Sequence, residues 1–413
     1  MKKICAVGLA VLLAVQASAQ VFCWNLENYF DWRDDPVTLD EPFTPSGDYH
    51  WNKRKFYAKR NAIAKVIIAS AGAFDGRPPA VVGLCEVENR WVLKSLLNET
   101  VLAKCGYAFL HRESPDPRGI DVALLYDKSR CTLLEGGFLK VEEFATRDII
   151  YAKLGYAGDT LFVFLNHWPS KYGGAKVSDP KRNAVAQLLS CKVDSVLHVC
   201  PDARIVLMGD FNDTPSAEVC RQLCRRCRLT NLSAGLPEGA GIPERSANLP
   251  GGLPEGTGIP ERSANLPGGL PEGTGIPERS GRQRDQYATD RQPGGTSLHG
   301  HQHDGNTKQR PWRDQDAIDR QPGGISLSGQ QGDTGTLDRQ LPGTIRYNGR
   351  WEMIDQMLVS QALAAENPRA EVYSPAFLLE PDKKFLGVKP RRTHIGPRYN
   401  GGVSDHLPVL LHF

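Results

Sequence analysis

The residues best suited to chemistry stand where apolar, strand-like runs end. Asp210 and Asn212 follow the run "RIVLMG", Asn25 and Glu27 follow "VFCW", and Glu86 closes "AVVGLC". One carboxylate at a strand end is usually a helix N-cap or a turn residue. The recurrence of carboxylate and amide side chains at several strand ends favours a shared site instead.

More polar residues close or introduce the other runs of this kind: Asn166, His167, Asp355, Asp405 and His406. Because loops at the strand ends of α/β folds converge on one crevice, we expect these side chains to lie together. Carboxylate and amide oxygens with little sulfur favour a hard cation, Mg²⁺ or Mn²⁺. Histidines beside carboxylates suit transfer to phosphorus, where negative charge grows on the nonbridging oxygens.

Alternating strand-like and helix-like runs must position these residues. The strand-like runs cover residues 21–24, 80–85, 122–126, 161–165, 204–209, 353–359 and 406–413. Between them, "KRNAIAKVIIAS" (59–70) and "KRNAVAQLLSCKVDSVL" (181–197) begin with basic residues and carry apolar positions three and four apart. This alternation predicts an α/β fold.

A repetitive segment interrupts the chain between residues 233 and 341. It contains three copies of "LPEG(A/T)GIPERS" and a second repeat family built on "DRQPGG". Its only aromatic residues are Tyr287 and Trp312, so it cannot bury enough apolar surface to offset its ordering entropy. We predict a disordered insertion within one domain that is formed by residues 20–232 and 342–413.

The first residues, "MKKICAVGLAVLLAVQASAQ", are typical of a secretory signal peptide over residues 1–19, with cleavage near Ala19 and Gln20. The apolar run is too short to span a bilayer, and no later segment is apolar enough to do so. We therefore expect a secreted or periplasmic protein without a membrane span. The formal charge of +3 at pH 7 excludes a strongly basic nucleic-acid footprint, and no obligate protein partner is indicated.

The cysteine spacings indicate neither a disulfide framework nor a metal cluster. Cys220, Cys224 and Cys227 have a spacing that can hold an iron–sulfur cluster, but their segment reads as an amphipathic helix with all three on its apolar face. A disulfide or plain core packing is the favoured interpretation. The nine cysteines beyond the signal peptide have irregular spacings, so no disulfide pairing can be deduced from them.

Six short motifs, taken in order, resemble those of the endonuclease/exonuclease/phosphatase superfamily, in particular its secreted, pancreatic-deoxyribonuclease-like members. They are "WNLEN", "GLCEVEN", "NHWPS", "GDFND", "WEMIDQ" and "SDHLPV". The resemblance covers both ends of the chain and skips the insertion. It implies a four-layer α/β sandwich, with two mixed β-sheets packed face to face and helices outside.

The resemblance also implies a divalent metal site. Glu86 would be the main ligand of Mg²⁺ or Mn²⁺, helped by Asn25 and by Asp405. Glu27 follows Asn25 by two positions, so on a strand it faces the same side and can reach the same metal. Glu88 follows Glu86 by two positions and could be read as a further ligand, but a solvent-facing or helix-start role explains it equally well, so it is left out of the predicted site.

Catalytic roles follow from the same resemblance. Asp210 would polarise the attacking water, and Asn212 would hold that water or a phosphate oxygen. His406 would donate to the phosphate in the transition state, with Asp355 fixing its ring and favouring its protonated form. His167 would contact the phosphate from the other side.

Weaker expectations concern the substrate. Asn166, beside His167, is a predicted substrate contact. Arg118 could clamp a phosphate and Asp121 could pair with His167, although a salt bridge in a surface turn explains both residues equally well. Lys171 and Arg182 could line the substrate groove, but a solvated face is the favoured interpretation.

The predicted function is metal-dependent hydrolysis of a phosphate ester by in-line attack of water. A nuclease that acts on DNA or RNA is the leading hypothesis, because export suits the scavenging of environmental nucleic acid. A phosphatase or phosphodiesterase acting on phospholipid, inositol phosphate or sugar phosphate is the alternative. A binding protein without activity is disfavoured because the set of acids and histidines is complete.

Overall fold

The computed structural model describes residues 20–171, 174–236 and 341–413. The predicted signal peptide lies outside these residues, and so does the predicted insertion except for its first and last residues, so both remain predictions. All described residues fall in one compact unit. No helix among them is long and apolar enough to cross a membrane.

Within the described residues there are eighteen strands and five α-helices. The strands are β1 (Gln20–Tyr29), β2 (Val81–Val87), β3 (Tyr107–His111), β4 (Asp121–Asp127), β5 (Cys131–Leu139), β6 (Ile149–Tyr156), β7 (Asp159–His167), β8 (Arg204–Asp210), β9 (Leu229–Asn231), β10 (Ile345–Tyr347), β11 (Arg350–Glu352), β12 (Asp355–Ser360), β13 (Arg369–Val372), β14 (Leu379–Pro381), β15 (Val388–Pro390), β16 (His394–Ile395), β17 (Arg398–Tyr399) and β18 (Val409–His412). The α-helices are α1 (Lys53–Ala69), α2 (Arg90–Asn98), α3 (Ala175–Val199), α4 (Glu218–Cys227) and α5 (Gln361–Ala364). Short 3-10 helices cover Glu41–Phe43, Ser70–Ala73, Val101–Lys104, Leu232–Gly235 and Ala376–Leu378.

Twelve of these strands form two six-stranded sheets. The first sheet has the order β13-β18-β1-β2-β4-β3, and the second has the order β5-β6-β7-β8-β12-β9. Each sheet contains one parallel pair, β1 with β2 and β7 with β8, while its other neighbours are antiparallel. Helix α1 connects the first parallel pair and helix α3 the second. The other six strands form three hairpins, β10–β11, β14–β15 and β16–β17.

Alternate side chains of strand β8 pack on opposite faces of the second sheet. Val206 and Met208 belong to the core between the sheets, while Ile205 and Leu207 pack with helices α3 and α4. At Gly83 in β2, the sheets approach so closely that an added Cβ would lie 2.7 Å from Met208 Cε. Helices α1 and α2 cover the first sheet. The predicted four-layer sandwich of two mixed sheets is therefore confirmed.

Both predicted helices exist, but each begins earlier than its basic residues suggested. Lys59, Arg60 and Arg182 consequently lie inside a helix and are buried, so the expectation of a solvated face at Arg182 was wrong. Helix α4 forms as expected, with Cys220 and Cys227 buried. All nine cysteines of the described ranges are free thiols, so core packing rather than a disulfide explains buried Cys220 and Cys227.

Strand register brings the predicted site residues together. His167 at the end of β7 and Asp355 at the start of β12 lie opposite Asp210, one on each side of β8. In the first sheet, Asn25 of β1 lies opposite Cys85 of β2, and the register of the pairing shifts directly after these residues. The strand pairing of the first sheet thus becomes irregular where the site begins, whereas β7, β8 and β12 stay in register up to Asp210.

Candidate active site

Asp210 lies at the centre of the site, at the last position of β8. Gly209 precedes it with a φ of 141°, a backbone angle that residues other than glycine rarely adopt. A Cβ at this position would lie 1.8 Å from the carbonyl oxygen of Asn166. The glycine lets β8 approach β7 closely, and this presents buried Asp210 between His167 and Asp355.

A buried histidine–carboxylate pair lies beside Asp210. His406 Nδ1 is 2.7 Å from Asp355 Oδ2, and the carbonyl oxygen of His406 accepts from Trp24 Nε1 at 2.9 Å. Burial alone would lower the pKa of His406, but Asp355, helped by Asp210 and Asp405, raises it well above its usual value. The predicted contact between His406 and Asp355 is present, and the geometry favours a cationic imidazole.

The second histidine has the opposite electrostatic character. His167 Nε2 is 3.6 Å from Asp210 Oδ2, and its Nδ1 has no hydrogen-bond partner among the described residues. Burial first, then the nearby guanidinium groups of Arg147 and Arg118, lower the pKa of His167 well below its usual value. A neutral imidazole therefore faces Asp210 from the side opposite His406.

Two further groups hold Asp210. Asn25 Nδ2 donates to its Oδ2 at 2.9 Å, and the backbone N–H of Asn212 donates to its Oδ1 at 2.8 Å. Burial, followed by the charge of Asp355, raises the pKa of Asp210 to about 7. Asn212 is kept in place by a bond of 2.9 Å from its Nδ2 to the carbonyl oxygen of Trp168. Asp210 is thus poised near neutrality, as a general base requires.

The predicted metal side of the site is built on strained backbone at the ends of β1 and β2. Asn25 Nδ2 lies 3.2 Å from Glu86 Oε1, and the backbone N–H of Asn28 donates to Glu86 Oε2 at 2.7 Å. Glu27, Asn28 and Glu86 all have positive φ values, of 51°, 59° and 62°. Strain of this kind persists where surrounding contacts enforce it and clusters at functional sites.

Glu27 does not share the face of Asn25, contrary to the expectation from alternation. The irregular backbone turns its carboxylate to Arg392 Nε at 3.3 Å and to the backbone N–H of Thr393 at 2.6 Å. Lys59 Nζ donates to the carbonyl oxygen of Glu27 at 2.5 Å. Burial raises the pKa of Glu27 to about 7 and lowers that of Lys59 to about 8.

Asp405 is bonded to the same arginine. Arg392 NH2 lies 2.9 Å from Asp405 Oδ2, and Asp405 Oδ1 is 3.9 Å from His406 Nε2. The structure therefore places Asp405 between the cationic histidine and the arginine that holds Glu27. Its predicted role as a ligand would require one of its oxygens to turn toward Glu86.

The donor set fits a hard divalent cation. Glu86, Asn25 and Asp405 carry oxygen atoms of the kind that such a cation prefers. In the structure, Asn25 Oδ1 accepts from the backbone N–H of Glu27 at 2.9 Å. A second group, Asp210, Asp355 and His406, has ligand atoms within 4.8 Å of one another. Asp355 already bonds His406 Nδ1 at 2.7 Å. The binding of the ion by Glu86, Asn25 and Asp405 stays a prediction.

Three predicted substrate contacts have other partners. Asn166 is fully buried, and its amide bonds the carbonyl oxygen of Met208 and the indole N–H of Trp168, so its geometry gives no support to a substrate contact. Asp121 accepts from the backbone N–H and hydroxyl of Ser114, while His167 lies beside Asp210. Arg118 is half-exposed and contacts Asp116, a surface-turn pair that leaves its guanidinium accessible.

Sequence reasoning missed a buried ion pair behind His167. Arg147 NH1 donates to Asp116 Oδ2 at 2.7 Å, and Arg147 NH2 donates to the carbonyl oxygen of Trp168 at 2.6 Å. Asp116 also accepts from the backbone N–H of Arg118. No local pattern marks these residues, because the pair joins a loop of the first sheet to a loop of the second.

A four-layer sandwich with paired carboxylates and histidines at its strand ends defines a class of phosphoester hydrolases. The chain belongs to the Endonuclease/Exonuclease/phosphatase family, whose sequence model matches residues 20–227 and 333–413. Members of this family hydrolyse phosphoester bonds and generally depend on a divalent metal. The family inferred from the six motifs is therefore confirmed.

Several solved structures are similar to this chain. An endonuclease/exonuclease/phosphatase family protein from Bacteroides thetaiotaomicron is 12% identical, with a TM-score of 0.47 and coverage of 96% of this chain and 97% of that chain. A mannosyl-6-phosphatase from the same organism is 11% identical, with a TM-score of 0.46 and coverage of 95% and 98%. The human Nocturnin catalytic domain with bound sulfate is 17% identical, with a TM-score of 0.38 and coverage of 52% and 73%. No relative was found among curated protein sequences.

Proposed function

We propose that the protein is an exported phosphodiesterase that depends on magnesium or manganese and hydrolyses DNA or RNA. The arrangement around Asp210 carries this proposal. A carboxylate with a raised pKa lies between one histidine that is held cationic and one that is held neutral. These groups supply a base for water and a cation for the phosphate oxygens at a single centre.

The side chains divide the reaction between them. Asp210 accepts a proton from the attacking water, and Asn212 holds that water or a phosphate oxygen. His406 donates to the phosphate as negative charge develops, and Asp355 keeps that imidazole oriented and protonated. His167 contacts the phosphate from the other side of Asp210. When bound, the divalent ion supplies further stabilisation of the same charge.

A stack of a cation and two indoles supports nucleic acid as the substrate. The guanidinium carbon of Arg33 lies 4.8 Å from the ring centroid of Trp32 and 4.3 Å from that of Trp91. Trp32 follows β1, and Trp91 is the second residue of α2, which follows β2 closely, so both come soon after the strand ends that carry Asn25 and Glu86. Partly exposed indoles are surfaces on which bases stack.

Two exposed apolar side chains favour a second candidate, a phospholipid. Val37 and Leu39 are 87% and 63% exposed. The backbone N–H of Leu39 donates to the carbonyl oxygen of Pro117 at 2.8 Å, which places this apolar segment beside the loop of Arg118. An ester that carries a fatty chain would contact such a rim.

A substrate panel tests the proposal. The protein is incubated with plasmid DNA, single-stranded DNA, RNA, sphingomyelin and inositol phosphates, with Mg²⁺, with Mn²⁺ or with a chelator. We expect cleavage of DNA or RNA that a chelator abolishes and that Asp210→Asn, the matched control against contaminating nucleases, lacks. Hydrolysis of lipid or inositol phosphate without cleavage of nucleic acid would contradict the proposal. The N-terminal residue of the protein recovered from medium or periplasm tests export, and Gln20 is expected.

A further inference from the structure

Two hairpins stand together beside the catalytic pair. The first is β10–β11, and the second is β14–β15; we call them the paired hairpins. Arg346 joins them: its side chain is 6% exposed, it lies 3.5 Å from Asp382, and it donates to the carbonyl oxygens of Val388, Phe385 and Gly349. A buried arginine with all these acceptors makes the two hairpins one rigid unit.

The base of the paired hairpins touches the active site. Ile345 forms an isolated β-bridge with His406, and the backbone N–H of Leu407 donates to the carbonyl oxygen of Thr344 at 2.8 Å. The hydroxyl of Thr344 accepts from the backbone N–H of Asp355 at 3.3 Å. The hairpins therefore rise directly from the His406–Asp355 pair.

Bulky apolar and aromatic side chains are exposed at their tip. Tyr347 is 66% exposed, Leu386 is 74% exposed and Phe385 is 40% exposed. Leu386 also has a φ of 59°, an uncommon conformation for a leucine. A bulky apolar residue in a costly conformation at a solvent-facing turn needs a reason other than the stability of the fold.

The same tip carries uncompensated positive charge. Lys383, Lys384 and Arg350 are exposed, and none of them pairs with a carboxylate among the described residues. Lys384 Nζ lies 4.9 Å from the ring centroid of Phe385. The acidic residue next to this tip, Asp382, is already neutralised by Arg346. Unpaired cations interleaved with aromatic rings favour a polyanion that also offers rings for stacking.

We propose that the paired hairpins bind the nucleic-acid strand that flanks the scissile phosphate. Lys383, Lys384 and Arg350 contact its phosphates, while Tyr347 and Phe385 offer surfaces for bases. A strand rises about 3.4 Å per residue, so a three-residue strand places the tip roughly 10 Å from the catalytic pair. A duplex strand carries one phosphate per about 3.4 Å, so the contact falls about three phosphates from the bond that is cleaved. This inference rests on the proposed nuclease function.

The test compares a polymer with a small diester. The tip variant combines Lys383→Gln, Lys384→Gln and Arg350→Gln. Its matched control combines Arg77→Gln, Lys104→Gln and Lys128→Gln, three exposed cations without a described carboxylate partner at the opposite end of the first sheet. For each protein, kcat/KM is measured on a long duplex and on bis(4-nitrophenyl) phosphate across a range of salt concentrations.

At 0.1 M salt, we expect the ratio of kcat/KM on duplex to kcat/KM on the small diester to fall about 10–100-fold in the tip variant. The slope of log kcat/KM on duplex against log salt concentration should become less negative by about three. The control variant should keep the ratio and the slope of the unmodified protein. An unchanged ratio in the tip variant overturns the inference. Failure of the unmodified protein to cleave any nucleic acid while it cleaves the small diester overturns the nuclease function itself.

Discussion

Two histidines flank Asp210, and their surroundings push them in opposite directions. His406 and His167 are both buried, and both approach the same carboxylate. Asp355 lies 2.7 Å from His406 and holds its proton, whereas the guanidinium group of Arg147 stands near His167 and repels one. Burial is common to the two sides, so the neighbouring charge decides the protonation state.

This difference teaches how one centre can hold a cation and a neutral donor or acceptor 
at the same pH. A pair of cationic histidines would repel each other and would neutralise the base between them. A pair of neutral histidines would leave the phosphate charge without a partner. The asymmetry is created by residues behind the site, Asp355 on one side and the Arg147–Asp116 pair on the other.

Removal of the shared base is expected to have the largest effect. Asp210→Asn keeps an acceptor for the backbone N–H of Asn212 but cannot take a proton from water. We expect kcat to fall by about 10²–10⁴-fold, measured on whichever substrate the panel identifies. Circular dichroism and the thermal midpoint serve as controls for folding. A variant that retained more than about half of the activity would remove Asp210 from the role of base.

The cationic side is tested by a double-mutant cycle. Asp355→Ala leaves His406 free to rotate and removes the charge that raises its pKa, so we expect a loss of about a hundredfold in kcat. The double variant should be little worse than His406→Ala, because the two groups act as one unit. Since the pKa of His406 is raised in the unmodified protein, Asp355→Ala should lose activity at a lower pH on the alkaline side. Multiplicative losses and an unmoved alkaline limb would contradict the pairing.

The neutral side is tested through Arg147. Arg147→Met removes the guanidinium group that, after burial, most lowers the pKa of His167. We expect the titration midpoint of His167, followed by NMR with histidine-selective labelling, to move upward and kcat to fall about tenfold. Arg147→Lys is the matched control, because it keeps the charge and should keep the low pKa. Equal midpoints in the methionine variant and the unmodified protein would mean that burial alone keeps His167 neutral.

Much of the fold and half of the site geometry could be predicted from local patterns. Apolar runs that end in Asp210, His167 and Asp355 predicted strand ends, and strand register does bring these residues together. The contact of His406 with Asp355 followed from the family resemblance of two motifs far apart in the chain. Such predictions succeed because a strand end fixes a residue's position and its neighbours with few alternatives.

The failures arise where the backbone leaves regular geometry or where the contact spans distant loops. Glu27 was expected beside Asn25 by strand alternation, which the positive φ of Glu27 breaks. The predicted helix began at Lys59, whereas α1 begins at Lys53, so Lys59 lies inside the helix, where it is buried and bonds the carbonyl oxygen of Glu27. Arg392 reaches Glu27 across nearly the whole chain, and no local pattern encodes such a contact.

The smallest expected effect concerns the rule behind the comparison, that burial removes a charge unless an opposite charge stands beside it. Glu88 is buried, accepts from the backbone N–H of Asp31, and has its pKa raised to about 9, first by burial and then by Asp31. Its ordinary value is 4.5, so between about pH 4.5 and pH 9 the folded protein keeps a proton that the unfolded chain releases. The free energy of unfolding should therefore fall as the pH rises through this window.

The variant Glu88→Gln tests this expectation, because it keeps an acceptor for Asp31 and cannot ionise. Urea unfolding in the presence of a chelator should show that the variant and the unmodified protein are equally stable at pH 5. Toward pH 9, the variant should become increasingly more stable than the unmodified protein. Glu88→Ala, which lacks the acceptor, controls for the lost hydrogen bond. If the free energies of unfolding of the glutamine variant and the unmodified protein changed in parallel with pH, Glu88 would ionise in the folded protein. Burial without a neighbouring cation would then not be enough to keep this carboxyl group neutral.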